Sequence, residues 1–215
     1  MITPWGYEIL SEQSLDNFVT PQEVNDFTGG RFQGDVRVQA NIAPATSSIR
    51  NYCGWHIAPS VDCVCTMNIR DLRDAFEGND LLVQLPARLV TEIKSILLNA
   101  KYDSATQTWE GDELDDYDIQ TNGLLKVFDV GCCDRKSKLR IVYKAGYDLT
   151  DIPLIKELTA HRISHACASS YGINSESAGG VSVSYNAAWA GNTRSTALPD
   201  DNKEILEPYK VKGMY

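Results

Sequence analysis

Two histidines four residues apart have the spacing to do metal chemistry. In His161-Arg-Ile-Ser-His165 both imidazoles fall on one helix face, where a pair at i, i+4 can ligate a metal ion. A zinc peptidase of the His-Glu-x-x-His type carries its glutamate base directly after the first histidine, and here Arg162 occupies that position. No third ligand is signposted. The pair also continues a stripe of Leu154, Leu158 and Ala168 for which packing accounts, so structural histidines and no metal are expected.

The thiols and carboxylates read the same way. Cys53, Cys63, Cys65, Cys132, Cys133 and Cys167 are even in number, but disulfide frameworks belong to secreted chains, and no signal for export is visible at the start. Cys63-x-Cys65 and Cys132-Cys133 lack the spacing of a zinc knuckle. Val61, Cys63, Cys65 and Met67 alternate with Asp62, Thr66 and Asn68, as on a strand with one buried face, so buried reduced thiols are expected. Glu110, Asp112, Glu113, Asp115, Asp116 and Asp118 put six acids and no base into nine residues. That run lacks the sixth-position glycine of a calcium loop and has no pocket residues beside it for acid–base work. It reads as a solvated loop or, more sharply, as a negative surface facing a polyanion that must pass without binding. Phosphate-binding loops, nucleophile elbows and dinucleotide fingerprints are absent, so no enzyme, catalytic residue or cofactor is expected.

The elements behind these residues fit an ordinary globular composition. The chain has 215 residues, 43% hydrophobic and 23% charged. At roughly 150 residues per domain that is one domain with an insertion or two small ones. The net charge is −9, of which the acidic run supplies six, leaving −3 for everything else. A DNA-gripping protein needs a basic footprint, and none is present. No stretch approaches the roughly 18 apolar residues of a membrane span, so a soluble, unexported chain is expected.

Thr20-Pro21-Gln22-Glu23 predicts a capped helix to about Phe27, stopped by Gly29-Gly30. Val38, Ile42, Ala45, Ile49 and Tyr52 predict a second helix, kinked or restarted at Pro44, with Gly54 as its cap. Strands are predicted at Val61–Met67, Leu81–Leu85 and Leu139–Tyr143, and turns at Asn122-Gly123 and Gly131. Arg88–Ala100 reads by periodicity as a helix, through Leu89, Ile93, Ile96, Leu97 and Ala100. Asp151 and Pro153 open a long helix with a stripe of Ile155, Thr159, Ile163, Ala166 and Ser170, ending at Gly172. A short strand at Val181–Tyr185 and a final helix after Pro199 complete an α+β fold. The expected organisation is N-terminal helices (1–56), a β-rich insertion (57–147) and C-terminal helices with a short strand (148–215), as one compact domain.

Four segments carry a family resemblance. They are Ser47-Ser48-Ile49-Arg50-Asn51-Tyr52-Cys53-Gly54-Trp55-His56-Ile57-Ala58-Pro59, Tyr117-Asp118 through Asn122-Gly123-Leu124-Leu125, Leu139 through Asp148 with Ile152-Pro153 following, and Val181-Ser182-Val183-Ser184-Tyr185. In order and spacing, and with the closing Leu206-Glu207-Pro208-Tyr209, the chain resembles the head–tail connector (adaptor, or head-completion) proteins of long-tailed bacteriophages over residues 20–211. In the family pattern Arg88–Ala100 is strand, against the periodicity. The resemblance implies a non-catalytic virion protein: a small helical bundle with an inserted antiparallel β-rich segment. Such subunits form a ring, commonly twelve-fold, in the neck beneath the portal, extending the DNA channel and docking a stopper or tail-completion protein. Assembly is expected in the bacterial host cytoplasm, with DNA passing through unbound. On this reading Asp112, Glu113, Asp115, Asp116 and Asp118 face the DNA channel or the ring's rim. Leu206, Tyr209 and Lys210 on the last helix dock onto the portal, and Tyr52 and Trp55 are candidates for subunit contacts or equally for core. The alternatives are another neck or tail-completion protein, such as a stopper or tail terminator, and a non-catalytic cytoplasmic binding protein.

Overall fold

The computed structural model describes residues 2–10, 15–130, 137–168, 175–178, 181–184 and 200–211. The elements in chain order are β1 (Glu8–Ile9), α1 (Pro21–Phe27), α2 (Val36–Cys53), β2 (Val61–Asn68), β3 (Phe76–Glu77), β4 (Asp80–Gln84), β5 (Val90–Asp103), β6 (Thr108–Glu113), β7 (Tyr117–Ile119), β8 (Leu124–Val127), β9 (Lys138–Ala145), α3 (Pro153–Ala168), β10 (Ser175–Ala178), β11 (Val181–Ser184) and α4 (Asp200–Leu206). Every strand pairing is antiparallel and the helices are grouped apart from the main sheets, which is the α+β class the sequence predicts. The chain divides into two compact units. One comprises Met1–Leu15, Gly54–Asp148 and Val211–Tyr215; the other comprises Asp16–Cys53 and Leu149–Lys210.

The second unit holds α1 to α4 and the antiparallel β10–β11 pair, which contains the strand predicted from Val181. Thr20 caps α1 through the predicted box: its hydroxyl accepts from the Glu23 N–H at 3.2 Å while the Glu23 carboxylate accepts from the Thr20 N–H at 2.7 Å. The Asp35 carboxylate accepts from the Arg37 N–H at 2.9 Å and opens α2. Val38, Ile42, Ala45 and Ile49 are buried as their spacing predicts. The helix continues through Pro44 without restarting, because Pro44 and Ala40 are both exposed and the carbonyl left unbonded there can meet water. In α3 the Ile155, Thr159 and Ile163 face is buried, and Ala160, Ile163 and Cys167 join Val24, Val38 and Ile42 in one core. Lys156 of α3 reaches Glu23 of α1 at 2.7 Å, and this hydrogen bond holds the Glu23 carboxyl below its ordinary pKa despite partial burial. Ser170, Gly172, Tyr185 and Gly131, each assigned a part above, lie outside the described residues, as do Cys132 and Cys133.

The first unit holds two sheets, ordered β1-β2-β9-β5-β6 and β3-β4-β8-β7. On β2, Val61, Cys63 and Cys65 are buried and Thr66 and Asn68 exposed, as the alternation predicts, but Val64 is buried as well and Met67 and Asp62 are both half-buried; Cys63 stands opposite Tyr143 and Cys65 opposite Ile141 of β9. Leu81, Val83, Leu125 and Val127 bury one face of the second sheet. The β7–β8 hairpin turns at Asn122-Gly123. Gly123 has φ +86°, and a Cβ there would run into the Ala87 carbonyl oxygen.

The helical periodicity of Arg88–Ala100 is overturned: Val90–Asp103 is strand β5. Its register against β9 shifts between Val90 and Glu92 and again between Ile93 and Ser95. Each bulge inserts a residue and resets the two-residue alternation, so Val90, Ile93 and Ile96 recur every third residue while remaining strand. Past the bulges, Ile96, Leu98 and Ala100 are buried at the strand's own period.

Candidate interaction surfaces

Within the most specific resemblance segment, Ser47 to Pro59, the stretch Gly54 to Pro59 builds a buried corner of the first unit rather than a surface. Trp55 and His56 are both 0% exposed. His56 Nε2 lies 3.1 Å from the Ala145 carbonyl oxygen, which can only accept, so Nε2 is assigned the proton. The Tyr7 hydroxyl sits 2.6 Å from His56 Nδ1, where it can donate, and it accepts the His56 backbone N–H at 3.0 Å. The Tyr147 N–H donates to the Ile57 carbonyl at 2.8 Å, and Trp55 packs against His56 and Tyr147 with ring centroids 5.4 and 6.1 Å away. Gly146 closes the corner at φ +117°: a Cβ there would stand 2.6 Å from the Pro59 oxygen and 2.8 Å from His56 Nε2. His56 is therefore a linchpin among three distant stretches of chain.

The acidic run is not the loop its composition predicts. Glu110, Asp112 and Glu113 lie on β6, Asp115 and Asp116 in the connection, and Asp118 on β7. All six are exposed. Strand pairing with β5 overrides the low strand propensity of Asp and Glu, with Lys101 opposite Glu110, Leu98 opposite Asp112 and Leu97 opposite Glu113. Asp112 accepts a hydrogen bond from Asn99 at 2.6 Å. Among the described residues no lysine or arginine forms an ion pair with any of the six, while Lys94, Lys126, Lys156 and Lys210 are engaged by Asp62, Asp80, Glu23 and Glu207.

The segment predicted to dock elsewhere folds back in part onto its own unit. Leu206 is 0% exposed, so this side chain is buried within the chain and not displayed on its surface. Tyr209 and Lys210 are half-buried. The Tyr52 hydroxyl donates to Glu207 at 3.0 Å, and the Lys210 ammonium lies 4.9 Å from the Tyr52 ring centroid while approaching Glu207 at 3.6 Å. Tyr52 thus ties α2 to the C-terminal segment, and Trp55 belongs to the corner. The apolar side chains left outside are others: Val36 at 81% and Ile2 at 80% exposed, with Phe27, Leu154, Ile205 and Tyr102 also open. In the sequence Val36 stands off the Val38-Ile42-Ala45-Ile49 stripe, whereas Leu154 reads as part of a packed one. A groove of about 310 Å³ runs over β1 and β2, lined in part by Leu10, Val64, Trp109 and Arg140, with the Arg140 guanidinium 5.1 Å from the Trp109 ring centroid.

His161 and His165 stand with ring centroids 4.5 Å apart, His161 exposed and His165 half-buried. The predicted packing stripe is only partly realised, since Leu158 is buried but Leu154 is open. Burial, and then the neighbouring His161, lower the His165 pKa. Among the described residues no group of three or more His, Cys, Asp or Glu is placed to hold a metal. Cys53, Cys63, Cys65 and Cys167 are buried free thiols, and burial pushes the first three up to about 12, far from thiolate chemistry at neutral pH. Among the described residues no helix is long and apolar enough to cross a membrane.

Fold and surface together define an α+β chain whose singular residues are either structural or displayed at strand edges. No family model matches the sequence, and no curated protein matches it. Among solved structures the chain is similar to a chain of the neck of an empty gene transfer agent (GTA) particle computed with C6 symmetry, at 12% identity and TM-score 0.51, covering 97% of each chain. It is also similar, at 13% identity and TM-score 0.49, to a chain of the native GTA virion, covering 78% of this chain and 88% of that one. At these identities the likeness is one of fold.

Proposed function

We propose that this chain is a non-catalytic structural subunit of the neck of a tailed-phage-like particle, acting as a connector (adaptor) between the portal of the head and the tail. The observation that carries the reading is the end-to-end fold likeness to a neck chain, 97% of both chains, from a particle computed with C6 symmetry. The resemblance of the Ser47–Pro59 and Leu139–Asp148 segments points the same way. In this reading copies assemble head to tail into a closed ring, each offering one patch to a different patch on its neighbour. The proposed ring has twelve copies, a number compatible with six-fold symmetry. The open Phe27, Val36 and Leu154 side chains are the apolar material available for such contacts. Exposed acids without cationic partners suit a surface beside a DNA channel, because each phosphate contact releases counterions and adds affinity that would stall passage. The C-terminal segment remains the proposed portal contact, through Tyr209, Lys210 and the outward Ile205 rather than Leu206. Assembly in the host cytoplasm and a stopper or tail-completion protein below the ring complete the reading.

Quantitative mass spectrometry of purified particles, scaled to the portal protein, tests it. A one-to-one ratio, near a dozen copies, is the expected result. Absence from the particle would overturn the assignment.

A further inference from the structure

The positions of the six acids carry an inference that does not depend on where the subunit sits in a particle. A sheet's outermost strands present unpaired N–H and C=O groups, a template on which another chain can add a strand. The two sheets of the first unit have four such edges: β1 and β6 on one, β3 and β7 on the other. Strands β1 and β3 are two residues long, too short to template stable pairing. Strand β6 has six residues, and the chain runs directly from it through Leu114–Asp116 into β7. The acidic run begins inside β6 and ends inside β7, so among the described residues it coincides with a continuous stretch of chain that forms the edge of one sheet and then of the other. On β6 successive side chains point to opposite faces, and the acids occupy both: Glu110 and Asp112 on one, Glu113 on the other. A second copy pairing along this stretch would set carboxylates directly opposite carboxylates.

We infer that the acidic run is an edge guard, which keeps β6 and β7 of one copy from pairing with the same edges of another. The device has a use wherever many copies are concentrated side by side, since strand addition would otherwise compete with the proper contacts.

The test compares three forms of the full chain in the absence of DNA: the native protein, a neutral variant (E110Q/D112N/E113Q/D115N/D116N/D118N) and a variant with lysine at the same six positions. Sedimentation velocity reads association across concentration, and deuterium exchange reads protection of the amides of residues 108–119. The neutral variant is expected to associate at concentrations at least tenfold lower than the native chain, with new protection in 108–119. The lysine variant, whose like charges also repel, is expected to match the native chain. Unchanged association and exchange in the neutral variant would overturn the guard, as would association of the lysine variant equal to that of the neutral one. If the variants fail to fold, the native chain in 1 M NaCl gives the same reading, because the Debye length falls there to about 3 Å. New protection in 108–119 then supports the guard, and its absence overturns it. Mislocation of the subunit in the particle leaves all these outcomes unchanged.

Discussion

The corner at Gly54–Pro59 and the edge at Glu110–Asp118 belong to the same unit and are built on opposite principles. The corner is closed: Trp55 and His56 have no exposed surface, each polar group named there has a partner, and a glycine hydrogen stands where a methyl would collide. The edge is open: six carboxylates face water, and Asp112 alone is anchored by a side-chain hydrogen bond. The most distinctive residue pattern in the sequence falls on the corner. Residues that look like a motif therefore specify how the chain is shaped, while the densest charge it displays lies on an unpatterned run. The two regions should respond differently to substitution, and that difference can be measured.

The largest effect is expected at Gly146. Alanine there must adopt φ +117° and place its methyl 2.6 Å from the Pro59 backbone oxygen and 2.8 Å from His56 Nε2, the latter held in a buried network. Backbone strain and overpacking combine, so Gly146→Ala should cost at least about 3 kcal/mol. Urea unfolding followed by tryptophan fluorescence reads this directly, since Trp55 reports on the corner. A loss under about 1 kcal/mol would show that the corner yields and would erase the contrast with the edge.

Tyr7→Phe sharpens the comparison by removing one oxygen and no carbon. The hydroxyl serves two groups of His56, the ring Nδ1 at 2.6 Å and the backbone N–H at 3.0 Å, and water has no access to this site. Depriving buried polar groups of a partner costs about 2 kcal/mol, more than the loss of one solvated hydrogen bond. The same unfolding experiment should therefore show a smaller shift than Gly146→Ala, with an unchanged denaturant slope.

How far these regions were legible in the sequence follows from the range of the interactions that form them. Helix α1 is written within four residues, Thr20 to Glu23, and α2 in its Val38-Ile42-Ala45-Ile49 stripe, so both could be read locally. Strand β5 could not, because two bulges against β9 convert a strand's alternation into a three-residue spacing that imitates a helix. The charge of the acidic run was legible, but not its conformation. Asp and Glu disfavour strands, and only pairing with β5 and β8 makes strands of Thr108–Glu113 and Tyr117–Ile119. His56 gave no sign of its role, since its partners are 49 and 89 residues away in sequence. Leu206 looked like an apolar edge on a short helix, and nothing local distinguishes an edge offered to a partner from one buried at home.

The smallest effect belongs to the edge. Asp115 and Asp116 are exposed in the connection between β6 and β7, and among the described residues neither forms an ion pair that asparagine would lose. Stability in ordinary buffer should stay within about 0.5 kcal/mol of the native chain. What should change is its response to salt. Mutual repulsion among the six acids disfavours the compact state, and added salt screens it: the Debye length is about 30 Å at 0.01 M but about 10 Å at 0.1 M. The native chain should therefore gain some stability across that range, and the Asp115→Asn/Asp116→Asn chain should gain less. Gly146→Ala and Tyr7→Phe, whose losses are steric and buried, should keep the native salt response while lying lower at every ionic strength. An edge variant with the native salt response would mean that its carboxylates do not feel one another. The contrast between a closed corner and a repulsive edge would then reduce to burial alone.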